Sequence, residues 1–336
     1  MMRNVPGQLR GAVVVITGAS SGIGEATAEA FAAKGARLVL AARDASALQA
    51  VAKSCRDKGC DVLVAPTDVT DAAAVKNLAA KAMSFGSIDV WVSNVGVGAV
   101  GRFHETPVEA HEQTIRANLI GHLNDAHAVL PMFLEQGEGV FINVISIGGF
   151  VAAPFAAAYS ASKFGLRGFS ESLRAELADY PGIHICDIYP SFVDTPGIGH
   201  GANYVGRKLT APPPIIDARR VARTIVNIAR WPRPTTTVGV MTNAARLAHL
   251  IAPNFSTRMA GRLMRAYFER APRVQMSNGN LYRPPSVPGG IDGGLRSSNA
   301  TMAPALAVAG LALVGLTCAL AMWQWSNHRS TRRYLW

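Results

Sequence analysis

Acidic residues are what the last part of this chain lacks. Residues 201–336 hold 3 Asp+Glu against 18 Lys+Arg, while residues 1–200 hold 19 against 15. The formal net charge of +11 therefore sits behind a mildly acidic first part. That asymmetry calls for an anionic partner of the tail and not of the chemistry performed upstream. Nucleic acid fits poorly: no recognition motif is present, and Pro and Gly, not aromatic stacking residues, separate the arginines. Cysteine is scarce too. Four residues in 336, with Cys55 and Cys60 in a helix-loop and no paired framework, exclude a disulfide-stapled scaffold and point to reduced thiols. Neither His nor Cys falls at metal-ligand spacing, so no metal is expected. The first 11 residues have no apolar core of signal length, which leads to a cytoplasm-facing catalytic part. There is no internal repeat.

One long uncharged run is present. Residues 303–325 carry no charge and are rich in Leu, Val, Ala and Met, about the 20 residues that span a bilayer as a helix. Trp323, Trp325 and Trp336 would sit at its interfaces. The reading is a single-pass membrane anchor ahead of a basic tail at 326–336; a buried C-terminal helix or an oligomer arm is the alternative. Upstream, Arg258, Arg262 and Arg265 form one helical stripe beside Met259, Leu263, Met264, Tyr267 and Phe268. Such a basic amphipathic extension over 242–272 suits an anionic membrane surface or a face packed on the core. Residues 273–302, with Pro284, Pro285, Pro288, Gly289, Gly290, Gly293 and Gly294, read as a flexible linker.

Residues 12–17 form a short β-branched run of the kind that fills a strand buried on both faces. Gly18-Ala19-Ser20-Ser21-Gly22-Ile23-Gly24 follows, then an alanine-rich helical stretch closed by Gly35. Strand, glycine turn, helix is the context of a dinucleotide site, where glycines let the backbone approach a pyrophosphate at a helix N-terminus. The spacing departs from G-x-G-x-x-G, and a ligand-free tight turn is the bland alternative. A second strand over 37–42 ends at Arg43, where an acidic residue would bind a ribose 2′-hydroxyl. A guanidinium suits a 2′-phosphate instead, which favours NADP(H) over NAD. Asp44, one step later, weakens that case.

Further apolar runs at 61–66, 88–94, 138–145 and 182–189 alternate with helical stretches at 71–84, 107–133 and 157–179. Asp217 caps a helix that ends near Pro232, and 235–240 supplies a last strand. The alternation predicts an α/β fold: a doubly wound, Rossmann-like parallel sheet in one catalytic domain over 1–241, followed by a C-terminal helical extension. Tyr159 and Lys163 lie four apart, on one face of a predicted helix. A neighbouring cation favours the phenolate and brings its pKa toward the working range of proton transfer.

With these segments in order, the chain resembles the short-chain dehydrogenase/reductase family over roughly residues 10–240. The matching pieces are TGASSGIG at 17–24, Asp68-Val69, SNVG at 93–96, Asn118, Ser146, YSASK at 159–163 and YPSFVDT at 189–195. The resemblance implies catalytic roles for four residues. Tyr159 is the general acid or base, Ser146 binds the substrate oxygen, and Lys163 holds the nicotinamide ribose and lowers the tyrosine pKa. Asn118 positions a water in a proton relay. It also implies that NADP(H) is held by Gly18, Ser20, Ser21, Gly22, Ile23, Gly24, Arg43, Asp68, Val69, Asn94, Gly96, Tyr159, Lys163, Val193 and Thr195. Two departures, Val95 in the usual N-N-A-G and Ser191 after Pro190, both touch the cofactor cleft. Residues 196–214 read as a mobile substrate lid. The expected activity is a membrane-tethered, NADP-dependent hydride transfer on a small lipophilic carbonyl or secondary alcohol, with a homo-oligomer implied by the resemblance. The rival is a non-catalytic NADP-binding scaffold or redox-sensing module.

Overall fold

The computed structural model describes residues 9–285 and 289–296. Among these, seven parallel strands form the central sheet: β1 (Val13–Thr17), β2 (Arg37–Ala41), β3 (Val62–Val64), β4 (Ile88–Ser93), β5 (Gly139–Val144), β6 (Ile183–Pro190) and β7 (Thr235–Val238). Their spatial order is 3-2-1-4-5-6-7. The strand order thus reverses direction between β1 and β4, and in such sheets the crevice at that switch point takes ligands.

Helices fill every crossover. α1 (Gly22–Ala32), α2 (Ala45–Arg56) and α3 (Ala72–Phe85) follow β1, β2 and β3. Between β4 and β5 run α4 (Val108–Ile115), a π-helical turn at Arg116–Ile120, and α5 (Gly121–Gln136). α6 (Ala157–Glu176) and α7 (Ala218–Arg230) follow β5 and β6, and α8 (Val240–Ile251) with α9 (Pro253–Arg270) come after the sheet. Side chains alternate along each strand, so both faces need apolar cover. In β1, Val14 and Ile16 join Phe31, Leu48, Val221 and Ile225 on one face. Val13 and Val15 join Leu78, Val129, Phe133 and Leu173 on the other. Each fully buried side chain of this size contributes roughly 1.5–3 kcal/mol.

Aspartates start three of these helices. Asp44, Asp71 and Asp217 each accept a backbone N–H from the first turn of α2, α3 and α7. Asp44 also accepts from Ser46 Oγ at 2.7 Å, so its carboxylate is turned to its own helix.

Two expectations change. The predicted helix over 107–133 is interrupted by the π-helical turn, which carries Asn118. The expected localisation, a single-pass membrane protein, is corrected: among the described residues no helix is long and apolar enough to cross a membrane. The physical reason is visible in the longer helices, since Arg258, Arg262, Arg265 and Arg270 interrupt α9 and Lys163, Arg167 and Arg174 interrupt α6. Residues 303–325 and the basic tail lie outside the described residues. Within 273–302, the described stretches lie against the catalytic body, through Asn203–Ser277 pairing and an Arg296–Asp194 ion pair at 3.0 Å.

Candidate active site

The carboxyl ends of β1 to β6 collect the residues singled out from the sequence. The glycine turn at 18–24 leaves β1, Arg43 follows β2, Asp68 and Val69 follow β3, and Asn94 and Gly96 follow β4. Ser146 follows β5, and Val193 and Thr195 follow β6. Gly18 and Gly22 take positive φ, +67° and +57°, the conformation that only glycine adopts freely. A Cβ on Gly24 would collide with the Gly18 carbonyl, so α1 packs directly on the turn. Asn94 Nδ2 donates to Gly18 O at 3.1 Å and stitches the β4 loop to it. Asp68 holds Thr70 through its N–H at 2.9 Å and its hydroxyl at 2.8 Å.

Ser146 is the strained residue of this edge. Its φ of 140° and ψ of 163° lie in a region that is essentially reserved for glycine. Gly148 N–H donates to Ser146 Oγ at 3.1 Å, which leaves the hydroxyl hydrogen free to donate onward. The Tyr159 phenol is hydrogen-bonded to Ser146. Gly148 makes this approach possible: a Cβ there would stand 3.0 Å from Tyr159 Cε1.

Lys163 is buried one turn along α6 from Tyr159. Its ammonium lies 3.4 Å from Val144 O and 5.8 Å from the centroid of the Tyr159 ring. The pKa shifts differ from the sequence expectation. Burial pushes the Tyr159 phenol up, and only the Ser146 hydrogen bond pulls it down. Burial likewise lowers Lys163 to about 7. Both groups are desolvated together, so each moves toward its neutral form and the cation does not dominate the phenol.

Asn118 does not point its amide at Lys163. Its Oδ1 accepts from Val97 N at 2.8 Å, and its Nδ2 donates to Val97 O at 2.8 Å and to Ser162 Oγ at 3.3 Å. In this geometry its side chain clamps the β4 loop to α6.

Two buried groups on α5 escaped the sequence reading. His122 faces Val95 O through Nε2 and Asn143 Oδ1 through Nδ1, each at 2.8 Å, and burial holds its pKa down at about 4. A neutral ring has a single N–H, so it donates to only one of these two acceptors, Val95 O or Asn143 Oδ1 on β5. Asp125 accepts from Thr17 Oγ1 at 2.8 Å and Ser93 Oγ at 2.6 Å, bracing β1 and β4 where the cleft opens. The available signal was positional: Asn118, His122 and Asp125 recur along one helical face that continues into Val129 and Phe133.

Burial raises Asp125 to about 7. Between the ordinary carboxylate value and about 7, the folded protein keeps a proton that the unfolded chain releases. Stability from this group is complete below that window and is lost as pH rises through it. Thermal unfolding of the wild type should therefore lose on the order of 3 kcal/mol more than Asp125→Asn between about pH 5 and about pH 8. Parallel curves for the two proteins would show that Asp125 does not titrate in that window.

Comparison with known proteins bears on the family and the fold. A family model described as short chain dehydrogenase matches residues 12–200. Dehydrogenase/reductase SDR family member 7 of Mus musculus is 39% identical over 194 residues, 56% of this chain and 57% of that protein. The chain thus spans little more than half the length of that relative. An uncharacterized oxidoreductase of Bacillus subtilis, YxnA, is 31% identical over 266 residues, 76% of this chain and 73% of that protein. A short chain dehydrogenase/reductase from Burkholderia phymatum, solved with NAD, superimposes with a TM-score of 0.64 at 26% identity, covering 80% of this chain and 99% of that one. An alcohol dehydrogenase from Thermococcus sibiricus, solved with 5-hydroxy-NADP, gives 0.60 at 26% identity, covering 68% and 95%. By the family match and these relatives, this chain belongs to the short-chain dehydrogenase/reductase family.

Proposed function

We propose that the protein is an NADP(H)-dependent oxidoreductase that acts on a carbonyl or secondary-alcohol carbon of a small lipophilic substrate. The observation that carries this reading is the Ser146 hydroxyl, held on Tyr159 by a backbone conformation costing about 1–3 kcal/mol. A fold tolerates such strain where the position has work to do. The glycine turn supports a dinucleotide fit, because its positive-φ backbone and the N-terminus of α1 are features suited to phosphates. Gly18, Ser20, Ser21, Gly22, Ile23 and Gly24 would line the pyrophosphate, and Asp68, Val69, Asn94, Gly96, Val193 and Thr195 the rest of the cleft. The nicotinamide, when bound, supplies or accepts the hydride.

In the reduction direction Ser146 donates its hydroxyl hydrogen to the substrate oxygen and stabilises charge developing there. Neutral Tyr159 donates the proton to the same oxygen, and Lys163 holds a ribose hydroxyl beside it. The preference for an apolar substrate rests on the segment joining Ser146 to Tyr159. There Phe155 packs edge-on against Phe268 of α9, with ring centroids 5.2 Å apart.

Solved relatives carry NAD in one case and an NADP derivative in another, so the choice between them falls to the short segment after β2. Arg43 is half-buried there, and Asp44 is engaged with α2. Arg43→Ala should lower the NADPH-over-NADH ratio of kcat/KM by roughly 10- to 100-fold, the worth of a charge-assisted contact. An unchanged ratio, or a wild type that prefers NADH, would remove Arg43 from this role.

A further inference from the structure

Several groups that would face the dinucleotide already hold another part of the same chain. The Arg43 guanidinium donates to Asn280 O at 2.6 Å and Leu281 O at 3.3 Å. Gly22 N–H donates to Gly290 O at 2.9 Å, and the Gly290 N–H in turn bonds the Glu25 carboxylate. A Cβ added to Gly289 would stand 2.9 Å from Ser21 Cβ, and one on Gly293 would strike the Thr195 carbonyl. Peptide carbonyls thus sit on two donors suited to phosphates: a guanidinium fork and a backbone N–H in the glycine turn.

The two stretches are firmly seated. Leu281 is fully buried among Val97, Ala99 and Ala117. Ile291 is buried in the main core. Arg219 grips both oxygens of Asp292 at 2.8 Å, while Arg296 reaches Asp194 at 3.0 Å, Asp217 at 2.8 Å and Asp292 at 2.8 Å. The carboxylate of Asp194 also receives the N–H groups of Gly293 at 3.1 Å and Leu295 at 2.8 Å.

We infer that residues 278–285 and 289–296 form an intramolecular competitor of the dinucleotide, a strap that occupies the Arg43 and Gly22 donors until a phosphate-bearing ligand displaces it. This rests on the function proposed above. A guanidinium bonds a phosphate about twice as strongly as a neutral carbonyl, which favours displacement at Arg43, while the burial of Leu281 and Ile291 and the ionic anchors at Asp292 and Arg296 set the opposing cost. The strap would lower cofactor affinity and make it dependent on those anchors.

The test is calorimetric titration of the full chain and of Asp292→Ala/Arg296→Ala with NADPH and, separately, NADH. Neither substituted residue belongs to the expected catalytic or cofactor-binding set. The strap predicts an NADPH Kd about tenfold or more lower in the double variant, the scale of a single charge-assisted bond. An equal or higher Kd overturns it. Hydrogen exchange on the wild type gives an independent reading that no folding defect can obscure. NADPH should speed exchange at Gly293 and Leu295, whereas slower exchange would mean a clamp that closes over the cofactor and would overturn competition. If neither dinucleotide binds either protein, the proposed function falls and the strap with it; binding without a difference removes the strap alone.

Discussion

Tyr159→Phe should lower turnover of NADPH with a carbonyl substrate by about 10²- to 10⁴-fold, the usual contribution of a positioned general acid. The dinucleotide Kd should change little, because the phenol and not the ring is lost. The expectation follows from the site: the phenol is hydrogen-bonded to Ser146, and burial keeps it protonated, the form that donates to a carbonyl oxygen. The variant also retains the packing of the ring against Gly148. Stopped-flow turnover beside fluorescence titration of NADPH separates the two quantities. Turnover near the wild-type rate would remove Tyr159 from the chemistry.

Much of this site could be read from the chain before any coordinates. The β-branched run before Gly18 fixes a buried strand, and glycines needing positive φ mark the turn after it. Tyr159 and Lys163 share a helical face by spacing alone. What could not be read depends on contacts between distant segments. Nothing local in the stretch at 107–133 announces the π-helical turn that carries Asn118. The strain at Ser146 comes from surroundings that hold its backbone at φ 140°, since a serine has no intrinsic preference for that region. The direction of the Tyr159 shift is not legible from spacing, which reveals a nearby charge but not the desolvation that outweighs it. Proline and glycine in 273–302 imply a free linker, yet the buried Leu281 and Ile291 and the ion pairs of Arg296 depend on tertiary partners that composition cannot supply.

Two replacements at Ser146 should separate chemistry from strain. Ser146→Ala and Ser146→Gly both remove the hydroxyl, and each should cost roughly 10²- to 10³-fold in kcat, the scale of losing one oxyanion donor. Their stabilities should part. Alanine keeps a Cβ in the disfavoured backbone region, whereas glycine relieves about 1–3 kcal/mol of strain. Glycine's extra unfolded-state entropy returns about 0.5–1 kcal/mol of that gain. The glycine variant should therefore unfold at a higher temperature than the alanine variant while being equally slow. A glycine variant less stable than alanine would mean that the residue at 146 is not strained, and that its hydroxyl is aimed by some other constraint.

Isotope transfer tests the central claim most directly. NADPH carrying deuterium at C4 of the nicotinamide, incubated with wild-type protein and a lipophilic ketone, should place deuterium on the carbinol carbon of the product alcohol. Tyr159→Phe should bind the same NADPH and leave the ketone deuterium-free. Tight NADPH binding by the wild type with no label transferred to any member of a ketone and aldehyde panel, or equal transfer by the Tyr159 variant, would contradict the assignment of hydride exchange to the Ser146–Tyr159–Lys163 edge.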